Sequence, residues 1–166
     1  MILTGFMATG KTEVGRRLAA LLDAPFLDTD ALVESTTGRT IADIFARDGE
    51  PSFRALEREA VERACRVADA VVATGGGTLL DADNRRRLAD AGPVVCLTAT
   101  PEELVRRVGG GADRPLLADF SDRLGRVRAL LDERAEAYAS AAYTIDTTGL
   151  RIDDVVERVR SLVAGR

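Results

Sequence analysis

The chain has 166 residues, 46% of them hydrophobic and 30% charged, with a formal net charge of -4; this is the balance of a globular chain able to bury a substantial core. A net negative chain lacks the basic face that a nucleic-acid backbone requires, and no apolar run approaches the ~20 residues needed to span a bilayer. The absence of histidine excludes imidazole acid–base catalysis and His-ligated metal sites, leaving carboxylates, arginines, one lysine and a hard cation such as Mg²⁺ for any chemistry.

In chain order, Ile2-Leu3-Thr4 reads as a short strand that runs straight into Gly5-Phe6-Met7-Ala8-Thr9-Gly10-Lys11-Thr12. This is glycine, four residues, then Gly-Lys-Thr, the spacing of a phosphate-cradling loop. The glycines let successive N–H groups converge on one anion. Lys11 reaches the β- and γ-phosphates, and the Thr12 hydroxyl is placed to ligate Mg²⁺. An amphipathic helix over Glu13 to Leu22 follows, and its N-terminal partial charge adds to the attraction for phosphate. Lys11 is the only lysine in a chain whose other basic residues are all arginine, which argues for a compact ammonium at this one place. Because the first strand leads at once into a functional loop, no signal peptide is expected, and the expected location is the cytoplasm.

Ala24 to Leu27 reads as the next strand, ending in Asp28-Thr29-Asp30. Two carboxylates one residue apart share a side of a strand, at the edge where parallel sheets bind ligands, and Mg²⁺ favours one or two such groups. The bland reading is a polar turn with Asp30 as N-cap of a helix over Ala31 to Thr36. Thr37-Gly38-Arg39 breaks that helix, and Thr40 with Asp43 opens another. After Gly49-Glu50-Pro51, a helix from Ser52 (as N-cap) to Val67 carries an apolar stripe at Leu56, Ala60, Val61 and Ala64. Arg54 falls in its first turn, an unfavourable place for a cation; an external anion and an ion pair with Glu57 are both open explanations.

Ala70 to Ala73 reads as a strand buried on both faces, ending in Thr74-Gly75-Gly76-Gly77-Thr78. Three glycines directly after a buried strand suggest backbone laid against a ligand with its N–H groups exposed. A helix over Asp81 to Ala91 carries Arg85, Arg86 and Arg87 on a solvated face. Val94 to Thr98 is a strand, and Thr100-Pro101-Glu102-Glu103 opens a helix to about Val108. Residues 109–117, with three glycines, Arg114 and then Pro115-Leu116-Leu117, have the make-up of a closing lid. A helix over Ser121 to Tyr138, a strand over Ala142 to Asp146 and a helix over Ile152 to Leu162 complete the chain. This alternation implies a parallel sheet covered on both faces, in one domain over residues 1–166. Cys65 and Cys96 read as small buried hydrophobes. No apolar surface stripe remains once the core is assigned, so a monomer is expected.

The chain resembles the shikimate kinases, small P-loop kinases related to the nucleoside monophosphate kinases. The resemblance covers essentially the whole length and rests on GFMATGKT, LDTD (Leu27 to Asp30), TGRTIADIFARDGEPSFRALE (Thr37 to Glu57), TGGG (Thr74 to Gly77), RPLL (Arg114 to Leu117) and ERAEAY (Glu133 to Tyr138). It implies a three-layer αβα fold around a central, mostly parallel five-stranded sheet, a mobile lid near residues 109–121 and a substrate-binding helical region near 31–60. The implied activity is ATP-dependent phosphorylation of the shikimate 3-hydroxyl. Asp30, Arg54, Gly75, Gly76, Gly77 and Arg134 are then expected to hold shikimate. Ala8, Thr9, Gly10, Lys11, Thr12, Glu13, Arg107 and Arg114 would bind ATP, with Arg107 and the stretch after Asp146 at the adenine. Thr12 would bind Mg²⁺ directly and Asp28 through water, while Asp30, Lys11 and Arg114 would carry the catalysis. Paired arginines suit any carboxylate, so gluconate kinase chemistry stays open on residue physics alone, as does a non-catalytic nucleotide- or shikimate-binding regulatory module; TGGG and RPLL favour shikimate, and the presence of Lys11, Asp30 and Arg114 favours an enzyme. Two departures stand out: the family more often has glycine at Ala8, making that turn less permissive, and the first strand is short, which is expected to weaken it.

Overall fold

Five short strands, β1 (Ile2–Gly5), β2 (Phe26–Asp28), β3 (Val71–Ala73), β4 (Val94–Thr98) and β5 (Tyr143–Asp146), pair in the order β2-β3-β1-β4-β5, and every pairing is parallel. The helices between them are α1 (Lys11–Leu21), α2 (Thr29–Thr37), α3 (Ile41–Cys65), α4 (Ala82–Ala91), α5 (Pro101–Val108), α6 (Arg123–Ala139) and α7 (Ile152–Ala164), with a 3₁₀ turn at Thr78–Leu80. The computed structural model describes residues 1–108 and 122–164; the expected lid, with Arg114, lies outside them. None of the described helices is long and apolar enough to cross a membrane.

The period-2 alternation of strand side chains divides the core between two faces. Leu3, Val71, Val95, Leu97 and Ile145 pack on one face against Val14 and Leu18 of α1 and Val155 and Val159 of α7. Ile2, Val72 and Val94 pack on the other against Val61 and Ala64 of α3, Leu88 of α4 and Ala137 of α6. This is the expected three-layer αβα arrangement, and each fully buried aliphatic side chain contributes roughly 1.5–3 kcal/mol. Though short, β1 is the central strand, hydrogen-bonded to both β3 and β4. Its brevity is offset by full burial of its backbone and side chains.

Three local expectations change. Asp28, not Asp30, caps α2: its carboxylate accepts from the N–H groups of Asp30 and Ala31. Asp28 and Asp30 therefore do not share one side of a strand, because Asp30 already lies in the first helical turn. Ser52 is not an N-cap; α3 runs on from Thr40, whose hydroxyl accepts from Asp43 N–H, and breaks only at Gly49 (φ 78, ψ 173). The Ser52 hydroxyl donates instead to the Asp48 carbonyl. Arg85 is more than solvated surface, since its guanidinium donates to the Leu79 and Leu80 carbonyls (2.6 and 3.2 Å) and ties down the turn after the glycine run.

Candidate active site

The switch in strand order falls at β1, between β3 and β4, and ligands of open parallel sheets bind beyond the strand C-termini at such a point. The phosphate loop leaves β1, the glycine run leaves β3, and Asp28 ends β2. Within the loop, Ala8 adopts a left-handed φ of 61°, so a side chain sits where glycine would be unstrained. The Thr9 hydroxyl is buried and donates to the Phe6 carbonyl at 2.8 Å. Gly10 stands at the N-cap of α1. Lys11 is 9% exposed, and its ammonium donates to the carbonyls of Gly5 and Phe6 at 2.9 and 2.7 Å. The charge is thereby held inside the curl of the loop rather than in solvent. Glu13 is turned to the surface, paired with Arg17 at 2.7 Å.

The Thr12 hydroxyl donates to Asp28 Oδ2 at 2.8 Å, while Asp28 Oδ1 is occupied in capping α2. Two hard oxygens therefore meet at the mouth of the loop. Such a pair suits Mg²⁺ that brings phosphate and water oxygens with it. Among the described residues no cluster of three or more His, Cys, Asp or Glu side chains could hold a metal.

Beside the loop lies a second, arginine-lined cradle. Its floor is the glycine run, and a β-carbon there would collide: on Gly75 it would lie 2.7 Å from Asp30 Oδ1 and 2.9 Å from Glu57 Oε1, and on Gly77 2.6 Å from Arg54 Nη2. Gly76 lies against the phosphate loop, where a β-carbon would be 3.4 Å from both Met7 N and Arg134 Nη1. The N–H of Gly75 is not exposed as expected but donates to Thr29 Oγ1 at 3.1 Å. Arg54 is clasped by Glu57 (2.8 Å) and Glu50 (2.8 Å). Burial works against its charge, but Glu57 and Glu50 outweigh that and raise its pKa. The ion-pair explanation of Arg54 is thus observed, and the pair faces the cradle. Arg134 is 4% exposed, stacks its guanidinium 5.4 Å from the centroid of the Phe6 ring, and donates to the Gly76 carbonyl at 3.1 Å. Its buried Nε has no hydrogen-bond partner, and an orphaned buried donor is costly unless a ligand completes it.

On the other flank of the loop, a cleft of about 520 Å³ is lined by Ala8, Gly10, Arg107, Leu150 and Ile152, among others. Arg107 donates to the Thr147 carbonyl (2.7 Å) and hydroxyl (2.9 Å) and to the Ala8 carbonyl (3.4 Å), linking α5, the end of β5 and the phosphate loop. Glu103 holds Arg107 and Arg106 together. The Arg106 hydrogen bond foremost, opposed by burial and supported by the Arg107 hydrogen bond and the charges of both arginines, brings the Glu103 carboxyl down to about 2.

The family model for shikimate kinase matches residues 7–164 of the chain. The chain belongs to the shikimate kinase family. It is 50% identical to the shikimate kinase of Geobacter metallireducens, over 100% of this chain and 92% of that one. It is 47% identical to that of Symbiobacterium thermophilum, over 96% of this chain and 92% of that one. Among solved structures it is similar to a shikimate kinase from Acinetobacter baumannii in complex with shikimate, with a TM-score of 0.94 and 37% identity over 99% of this chain and 92% of that one.

The structure brings Lys11, Thr12, Asp28, Asp30, Arg54, the glycine run and Arg134 to one end of the sheet, with Arg107 beside them; Arg114 lies outside the described residues. In this shikimate kinase family member, Glu57, foreseen only as a possible partner of Arg54, and three threonines that sequence reasoning did not single out hold the site together. Glu57 is 1% exposed and joins Arg54 to Thr78, whose hydroxyl donates to Glu57 Oε1 at 2.7 Å. Thr29 holds Gly75, and Thr147 anchors Arg107. The only advance sign of Glu57 was its spacing of three from Arg54; Thr29, Thr78 and Thr147 carry no signal in a linear sequence.

Proposed function

We propose that this chain transfers the γ-phosphoryl group of ATP to the 3-hydroxyl of shikimate, giving shikimate 3-phosphate and ADP, as one domain. The observation that carries the reading is the contact between the two half-sites: the glycine run, with Asp30, Arg54 and Arg134 around it, abuts the phosphate loop at Met7. An alcohol held in the arginine-lined cradle therefore lies beside phosphates held in the loop. Arg54 and Arg134 pair with the shikimate carboxylate, as planar guanidinium groups do, and the Nε of Arg134 gains the partner it lacks. Asp30, against Gly75, orients the attacking hydroxyl and accepts its proton. As the new P–O bond forms, the bond from the γ-phosphorus to the β,γ-bridging oxygen breaks and ADP departs with that oxygen. Lys11, freed from its own loop carbonyls, follows the charge on the transferring group, and Arg114 joins it there. Thr12 and Asp28 would hold Mg²⁺, which neutralises phosphate charge when bound. Ala8, Thr9 and Gly10 supply the loop backbone around the phosphates, Glu13 steadies the first turn of α1, and Arg107 with the stretch after Asp146 forms the wall for adenine. A cytoplasmic location fits a reaction that consumes ATP, and sedimentation at assay concentration is expected to give a monomer.

A coupled assay of ADP release tests the reading. ADP is expected to form with shikimate and not above background with gluconate. Turnover of gluconate alone would reassign the acid, and ATP binding without turnover of either would leave a regulatory module.

A further inference from the structure

We infer that Tyr138 is a positioning residue for the acid substrate, acting by fixing the peptide between Gly76 and Gly77. This deepens the proposed reading of the glycine run as the substrate cradle and rests on it. The Tyr138 hydroxyl donates to the Gly76 carbonyl at 2.6 Å, across 62 residues of sequence. The same oxygen accepts from Arg134 Nη1 at 3.1 Å. A carbonyl has two lone pairs, so both are taken, by donors four residues apart on one face of α6. The tyrosine ring is itself set between two apolar clusters, one containing Val61 and Leu88, the other Phe6, Leu104 and Leu130. Its hydroxyl therefore sits at the end of a rigid lever.

The consequence for the cradle follows from peptide planarity. In a trans peptide the carbonyl and the next N–H point in opposite directions, and the chain contains no cis bond among the described residues. Pinning the Gly76 carbonyl toward α6 turns the Gly77 N–H away from α6. Gly77 itself borders the cradle, since Arg54 lies so near that it has no room for a β-carbon. Three glycines in succession offer little resistance to rotation of their own; the Thr78 N–H to Gly75 carbonyl bond (3.3 Å) and the Leu80 N–H to Gly77 carbonyl bond (3.0 Å) hold the turn, and the Tyr138 bond fixes the peptide at its centre. The shared acceptor does a second thing: it fixes one Nη of Arg134 and thereby the plane of its guanidinium fork. Burial, offset in part by the nearby Arg134, raises the pKa of the Tyr138 hydroxyl, which keeps it a donor throughout the neutral range.

The test is the steady-state kinetics of Tyr138→Phe, which keeps the ring and its packing and removes only the donor. KM for shikimate is expected to rise by about 5–30-fold, the loss of roughly one hydrogen bond to a buried acceptor, while KM for ATP stays within about twofold of wild type. A purely structural role would instead lower the urea midpoint with both KM values unchanged, or move both together, and either result overturns the inference. If wild type turns over shikimate and the variant's KM does not shift, only the role of Tyr138 falls. If wild type does not turn over shikimate at all, the assignment of the cradle falls and this inference with it.

Discussion

Ala8 holds a left-handed conformation at φ 61, where its β-carbon meets the neighbouring carbonyl at a cost of roughly 1–2 kcal/mol. Glycine removes that strain and returns part of the gain as extra freedom in the unfolded chain. Ala8→Gly is thus expected to raise the free energy of unfolding by about 0.5–1 kcal/mol, read from urea denaturation, with little change in KM for ATP. A less stable variant would mean that packing of the methyl group outweighs the backbone strain. Asp30 calls for a different measurement. Its carboxylate lies against Gly75, apart from the capping carboxylate of Asp28, so Asp30→Asn spares the helix cap while removing the proposed proton acceptor. Turnover is expected to fall at least ~100-fold while ATP affinity, by equilibrium titration, stays near wild type. Near-normal turnover would take Asp30 out of the chemistry.

The elements were legible where hydrophobic periodicity and turn residues agreed, and less so at their junctions. The strand-to-helix junction after β2 shows why. Asp28 and Asp30 are equally good caps by residue type, and what decides between them is the pairing of Asp28 with Ala73 of β3. That pairing keeps Asp28 extended (φ -121, ψ 121) and lets the helix begin at Thr29. Likewise Gly49 and Pro51 announce a break in α3, but the break takes one residue because Gly49 alone absorbs it. The glycine run was legible as a close approach to something; that part of what it approaches is the clamped fork of Arg54 was not. Gly77→Ala is the direct probe. Its methyl group would sit 2.6 Å from Arg54 Nη2, and Arg54 can retreat only by loosening its pairs with Glu50 and Glu57. KM for shikimate is expected to rise at least ~10-fold, since about 1.4 kcal/mol is a factor of ten, with KM for ATP unaffected. Equal effects on both substrates would show that the methyl group disturbs the phosphate loop through Gly76 instead.

At the scale of the molecule, the topology could be read from the sequence, as could the gathering of Lys11, Asp28, Asp30, Arg54 and Arg134 at one end of the sheet, but the polar braces between distant segments could not. Arg107 meets Thr147 across 40 residues and Arg54's partner Glu57 meets Thr78 across 21, and neither threonine differs in the sequence from its solvated counterparts. Acid response belongs instead to carboxyl groups held mostly by near neighbours in sequence. The carboxyl groups of Asp43, Asp81, Asp146, Glu102 and Glu103 all lie below their ordinary range, held there chiefly by hydrogen bonds from arginines, threonine or backbone N–H groups. A carboxyl lowered in the folded state binds its proton more weakly there than in the unfolded chain, so its contribution is complete above the unfolded pKa and lost as pH falls through the folded one. For Glu103 that window runs from its ordinary 4.5 down to about 2. Glu103→Gln isolates it, since the amide cannot titrate and pairs more weakly with Arg106 and Arg107. The difference in urea midpoint between wild type and Glu103→Gln is expected to be constant above about pH 5, to shrink as pH falls toward 2, and to vanish once Glu103 is protonated in both states. A difference that instead grew on acidification would mean that the carboxylate at the edge of the cleft beside the phosphate loop destabilises the fold. Glu103 would then be retained for its hold on Arg107 rather than for the stability of α5.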